Sequence, residues 1–151
     1  MAHNSDPAHA RRVLIAEDNP DDFDLTRLAF EQVGSPMQLE CVKDGAECLA
    51  RLRREGPYAR TALPDLLLLD INMPIVDGFQ VMAEIARDER LRHLPVVIFT
   101  SSDVPEDVLA MHRLRCSSYI KKPVDFAQFV QIARFISAYW CGVVELPRRL
   151  H

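Results

Sequence analysis

Leu66-Leu67-Leu68-Leu69-Asp70 is an unbroken apolar run that stops on a carboxylate. Such a run suits a parallel strand covered on both faces, because a half-exposed strand would alternate apolar and polar residues. Val13 to Ala16 upstream has the same character and closes on Glu17, Asp18, Asn19 and Pro20. Val96 to Phe99 downstream closes on Thr100, Ser101, Ser102 and Asp103. Met37 to Val42 is a weaker strand, and Tyr119 with Ile120 forms a last short one before Lys121, Lys122 and Pro123.

Helical patterns fill the intervals. Pro20 suits a first helical turn, Asp21 and Asp22 suit the positive end of its dipole, and Leu25, Leu28, Ala29 and Val33 recur at helical spacing up to Gly34. Asp44 can cap a helix whose Cys48, Leu49 and Leu52 face inward, and Gly56 with Pro57 stops it. Phe79, Val81, Met82 and Ile85 mark a third helix, Val104 to Arg115 a fourth, and Asp125 caps a fifth that reaches about Tyr139. Five strands alternating with five helices imply a parallel sheet with helices on both faces, since parallel neighbours need crossover connections.

At 151 residues the chain accommodates one domain, expected over residues 12–139, between a flexible tail at 1–11 and a C-terminal tail at 140–151. Apolar residues make up 48% and charged residues 26%, the balance of an ordinary globular protein. No apolar stretch is long enough to span a bilayer, and the polar start lacks the apolar segment of a signal peptide, so the expectation is a cytoplasmic protein without membrane attachment. A net charge of -4 and a pI near 5.7 argue against nucleic-acid binding. Cys41, Cys48, Cys116 and Cys141 have neither the spacing of a zinc site nor nearby histidines, and are expected to be reduced thiols.

Four apolar runs therefore end in polar groups: Glu17 and Asp18, Asp70, Thr100 and Ser101, and Lys121 and Lys122. In an open α/β sheet, ligands bind beyond the carboxyl ends of the strands, so these groups should converge on one crevice. Three carboxylates in close approach repel unless a cation sits among them, and hard oxygen ligands suit Mg²⁺. Asp70 can then act as a nucleophile toward a phosphoryl group, with Lys122 offsetting the phosphoryl charge and Thr100 donating a hydrogen bond. Taken alone, Asp70 would serve as well to cap the following turn. Lys121 is expected to be a solvated neighbour, because adjacent residues of a strand point to opposite sides. Tyr119 is either core filling or a ring with an inward and an outward position, while Pro74, Asp77 and Gly78 belong to loop geometry. The five histidines are scattered, and none is assigned a role.

Glu17-Asp18-Asn19, the stretch Asp70-Ile-Asn-Met-Pro-Ile-Val-Asp-Gly78, Thr100-Ser101 and Lys122-Pro123 together resemble the receiver domain of bacterial two-component response regulators. The resemblance implies a flavodoxin-like fold with strand order 2-1-3-4-5 and phosphorylation of Asp70 by a histidine kinase. It implies that Asp18 and Asp70 ligate the metal, that Glu17 acts largely through water, and that Asn72 gives a backbone carbonyl. Thr100 matches the switch hydroxyl, Lys122 the phosphate-pairing lysine and Tyr119 the switch aromatic. Asn19-Pro20, Arg53-Arg-Glu-Gly-Pro-Tyr58, Tyr119-Ile-Lys-Lys-Pro-Val124 and the Phe-rich last helix are similar to the stand-alone regulators of phytochrome-type histidine kinases. Two mild departures, Glu at 17 where Asp is commoner and Ser101 where a small Ala is frequent, leave that chemistry intact.

The function expected is a phosphorylation-controlled protein-contact switch that assists its own phosphorylation and dephosphorylation and is not a turnover enzyme. Few residues follow Tyr139, so no attached effector is expected. A Mg²⁺-dependent phosphatase would usually carry a second acid where Asn72 stands, and an acidic first loop would repel a flavin phosphate. Ile132, Phe135 and Tyr139 form a second apolar stripe on the last helix, turned away from Phe126, Phe129, Val130, Ala133 and Ser137. With Trp140, Val143, Val144 and Leu146 they are expected to form an exposed surface joining two copies in a homodimer, unless the tail folds back over its own stripe.

Overall fold

The computed structural model describes residues 11–140. β3 (Leu66–Leu69) is the middle of a five-stranded parallel sheet whose other members are β1 (Arg12–Ala16), β2 (Gln38–Val42), β4 (Val96–Thr100) and β5 (Ser118–Lys121). Their order is β2-β1-β3-β4-β5. In the register, Ile15 and Val97 both lie opposite Leu68. Successive side chains of a strand leave on opposite faces, so the sheet separates two cores. Leu67 and Leu69 join Leu14, Ala16, Val96 and Ile98 on one side, while Leu66 and Leu68 join Val13, Ile15, Val97 and Phe99 on the other. All four β3 leucines are buried, which is why the run contains no polar residue.

The first core is covered by α2 (Gly45–Arg53), α3 (Gly78–Arg87) and α4 (Pro105–Arg113), and the second by α1 (Pro20–Gln32) and α5 (Phe126–Ala138). Side-chain caps start four of the five helices. Asn19 accepts from the Asp21 and Asp22 amides, Asp44 from Glu47, Asp125 from Gln128, and Asp77 forms a reciprocal capping box with Gln80. The alternation implied the parallel sheet with helices on both faces, and the order is the flavodoxin-like one that the receiver resemblance implied.

Three local expectations are corrected. Leu28 does not face the core: it is 43% exposed, and α1 buries Thr26, Ala29 and Phe30 instead. The Thr26 hydroxyl donates to the Asp22 carbonyl, which lets a polar residue sit on the buried stripe. α2 ends before Gly56, through Arg54 in the left-handed region at φ 57, and Gly56–Tyr58 then forms a short 3-10 turn. Trp140 does not lie on an exposed tail. Tyr139 and Trp140 extend α5 in a wider turn, and the indole packs in the second core at 7% exposure. Ile132 also leans on that core, which leaves Phe135 and Tyr139 as the outward aromatics, stacked with centroids 5.8 Å apart. The expected tail residues 1–10 and the arm residues Val143, Val144 and Leu146 lie outside the described residues.

Among the described residues, no helix is long and apolar enough to cross a membrane.

Candidate functional site

Because every strand runs in the same direction, the residues that follow the strands collect at one end of the sheet. Glu17 follows β1, and its amide donates to Val42 at the end of β2. Asp70 follows β3, and its amide donates to the Ala16 carbonyl. Thr100 closes β4 and is fully buried, and its carbonyl accepts from the Lys122 amide just past β5 at 2.7 Å. These ladder bonds fix Glu17, Asp70, Thr100 and Lys122 by backbone alone.

The Lys122 side chain runs into this end and meets three carboxylates. Its Nζ lies 2.8 Å from Asp70 Oδ2 and 3.0 Å from Asp22 Oδ2, and it also pairs with Glu17 Oε1. Lys122, Glu17 and Asp70 are all buried. Burial pushes the Glu17 carboxyl up to about 7, against the opposing hydrogen bond and charge of Lys122. Burial would lower the Lys122 amine, but hydrogen bonds to Asp70 and Glu17, reinforced by their charges, raise it above its ordinary value. The ammonium is therefore held charged in a buried place by the carboxylates around it.

Glu17, Asp18 and Asp70 each offer a carboxylate oxygen, and the three atoms lie within 4.8 Å of one another. Asp18 is exposed, while the other two are buried. An all-oxygen set with one open side fits a hard divalent cation that keeps part of its water, and the Lys122 ammonium already shows the appetite of Glu17 and Asp70 for positive charge. Asn72 follows Asp70 by two residues. Its side chain is exposed, and its amide lies 3.4 Å from Asp70 Oδ1.

Gly78 shapes the floor of the site. A Cβ there would come 2.5 Å from the Asp70 carbonyl oxygen and 2.7 Å from Ile71 Cα, so α3 can begin against the backbone of Asp70 only with a glycine. Between them, the Val76 amide donates to the Pro74 carbonyl at 2.8 Å around Ile75, which has φ 70.

At the flank, the Tyr119 hydroxyl donates to the Ser102 carbonyl at 2.8 Å, and the ring packs against the first core. Burial raises the Tyr119 phenol above its ordinary value. The Ser102 hydroxyl donates to Asp107 on α4, so the loop after Thr100 is tied to both β5 and α4. Lys121 points elsewhere and pairs with Asp103 at 2.8 Å in an exposed position. Sequence reasoning missed Asp22 and Ser102. Asp22 is in the first turn of α1, where a carboxylate is already accounted for by the helix dipole, and nothing in the sequence marks the Ser102 carbonyl as an acceptor.

The family model of the response regulator receiver domain matches residues 13–134. The response regulator Rcp1 of Synechocystis sp. is 31% identical over 147 residues, covering 97% of this chain and 99% of Rcp1. Among solved structures, the phosphorylated cyanobacterial phytochrome response regulator RcpA has 36% identity and a TM-score of 0.86, covering 91% of this chain and 99% of that one. The Mn²⁺-bound form of Rcp1 has 30% identity and a TM-score of 0.85 over the same shares. The strand-end carboxylates with their buried lysine, the sheet order and these likenesses agree: the chain belongs to the response regulator receiver domain family.

Proposed function

We propose that this chain is a phosphoacceptor switch of two-component signalling, taking a phosphoryl group on Asp70 from a phytochrome-type histidine kinase. The observation that carries the reading is the Lys122 ammonium 2.8 Å from Asp70 Oδ2 at the carboxyl end of the sheet. An ionised carboxylate has no proton to lose, so its oxygen attacks phosphorus directly while the bond from phosphorus to the donor's imidazole nitrogen breaks. Lys122 then offsets charge on the transferred group, and the Thr100 hydroxyl donates to one of its oxygens. Glu17, Asp18 and Asp70, with the Asn72 carbonyl, would hold Mg²⁺, which when bound neutralises charge on the phosphoryl oxygens.

The same residues would serve hydrolysis of the acyl phosphate, in which water attacks phosphorus, the bond from phosphorus to the Asp70 oxygen breaks and inorganic phosphate leaves, so the protein assists its own phosphorylation and dephosphorylation without turning over a separate substrate. Output is a change of protein contacts. Thr100, Ser102 and Tyr119 are linked from the site to α4, and a hydroxyl drawn toward a phosphoryl group would favour a second position of this segment. The outward Phe135 and Tyr139, on the α5 flank of that face, support a homodimer through α5 and the following residues. Residues 12–139 would act as the receiver unit, in the cytoplasm.

The test is phosphotransfer profiling from a panel of radiolabelled histidine kinases. Transfer within minutes from phytochrome-type kinases is expected, and preference for an unrelated kinase class would overturn the partner assignment.

A further inference from the structure

Lys122 has one carboxylate partner that the metal cluster does not claim. Glu17 and Asp70 contact its Nζ and also belong, with Asp18, to the group whose oxygens lie within 4.8 Å of one another. Asp22 contacts the same Nζ at 3.0 Å and lies outside that group. A dication drawn to the cluster competes with the ammonium for the negative charge of Glu17 and Asp70, which each carboxylate then divides between two cations. Asp22 is the one of the three partners whose charge is not divided in this way.

The first turn of α1 holds Asp22 in place from both sides. Asn19 Oδ1 accepts from the amides of Asp21 and Asp22 at 2.9 and 3.3 Å, and the Asp22 carbonyl accepts from the buried Thr26 hydroxyl at 2.8 Å. The Asp22 side chain is 27% exposed, against 5% for Lys122, so it reaches the ammonium from the rim of the site. Resting on the phosphoacceptor reading above, we infer that Asp22 is a positioning residue. It keeps the Lys122 ammonium beside Asp70 when Glu17 and Asp70 turn to a cation, and yields it to a phosphoryl group on Asp70.

Two opposite effects follow from removing its charge. The Lys122 charge becomes less neutralised, so a divalent cation binds more weakly. The same ammonium pairs more strongly with an anionic phosphoryl group, from which a repelling carboxylate has also gone. A variant that merely disturbed the fold would weaken both.

The experiment uses the full chain and measures Mn²⁺ affinity by water-proton relaxation and beryllium fluoride affinity at saturating Mg²⁺. Asp22→Asn is expected to bind Mn²⁺ about two- to fivefold more weakly and beryllium fluoride about two- to fivefold more tightly, the range of a partly exposed charge pair. Asp22→Glu is expected to return both toward the parent. If the parent binds both ligands and Asp22→Asn moves neither, or moves both in one direction, the positioning role is overturned while the phosphoacceptor reading stands. If the parent binds Mn²⁺ and no beryllium fluoride, the phosphoacceptor reading falls and takes this role with it.

Discussion

The Nζ of Lys122 and Oδ2 of Asp70 lie 2.8 Å apart across 52 residues of sequence, and both groups are buried. The carboxylates keep the lysine charged, and the lysine keeps the carboxylates from repelling one another. Lys122→Ala should therefore destabilise the metal-free protein by about 3 kcal/mol, the scale of breaking a buried ion pair. Urea unfolding should show the loss, and millimolar Mg²⁺ should recover much of it. An unchanged midpoint without metal would argue against this coupling.

Gly78→Ala places a methyl group 2.5 Å from the Asp70 carbonyl oxygen, and backbone on both sides must move to admit it. A loss of about 1 to 3 kcal/mol is expected, as for overpacking a core, together with slower labelling by acetyl phosphate because Asp70 is displaced. Stopped-flow labelling and urea titration of the same variant check the two effects.

Ile75 is a β-branched residue at φ 70 within a three-residue turn closed by the Val76 amide, and its side chain is 78% exposed. Ile75→Gly removes backbone strain and little burial, while adding freedom to the unfolded chain. A net gain of about 1 kcal/mol is expected in chemical denaturation.

Glu17 supplies a pH dependence whose sign is set by its position. Its carboxyl titrates at about 7, above the ordinary value of 4.5, because burial disfavours the charged form. A divalent cation needs the ionised carboxylate, so affinity should be level above pH 7 and fall below it by up to about tenfold per unit. Calorimetric Mg²⁺ titrations between pH 5.5 and 8 measure this. An affinity independent of pH would remove Glu17 from the ligand set.

Phe135→Asp should abolish the proposed homodimer while leaving the fold intact, because the ring is 60% exposed and contacts Tyr139 on the outer side of α5. Sedimentation of the full chain and the variant at micromolar concentration distinguishes dimer from monomer. Monomers in both, with and without phosphorylation, would exclude the dimer.

The strands were legible because a doubly covered parallel strand leaves a simple trace: Leu66–Leu69 has the same bounds in sequence and structure. Helix starts at Asp44 and Asp125 were legible for a local reason, the need of free amides for an acceptor, and the first helix was legible from Pro20 and the two acids after it, whereas its Asn19 cap was not read. Helix orientation was less so, since Leu28 and Phe30 lie on α1 within two residues and tertiary packing chose the phenylalanine. Trp140 was misplaced because Tyr139 and Trp140 continue α5 and bury the indole in the second core, a tertiary packing that no local signal announces. In the site, Glu17, Asp70, Thr100 and Lys122 could be paired because strand ends converge. Asp22 was hidden by its setting, for a carboxylate in a first helical turn is already accounted for by the helix dipole.

The central claim is that Asp70 is the phosphoacceptor, and mass spectrometry after incubation with acetyl phosphate and Mg²⁺ tests it most directly. The parent chain should gain one phosphoryl group, labile to base and mapped to the peptide containing Asp70, and Asp70→Asn should gain none. A phosphoryl group on Asp70→Asn, or one mapped to another residue of the parent, would contradict the claim.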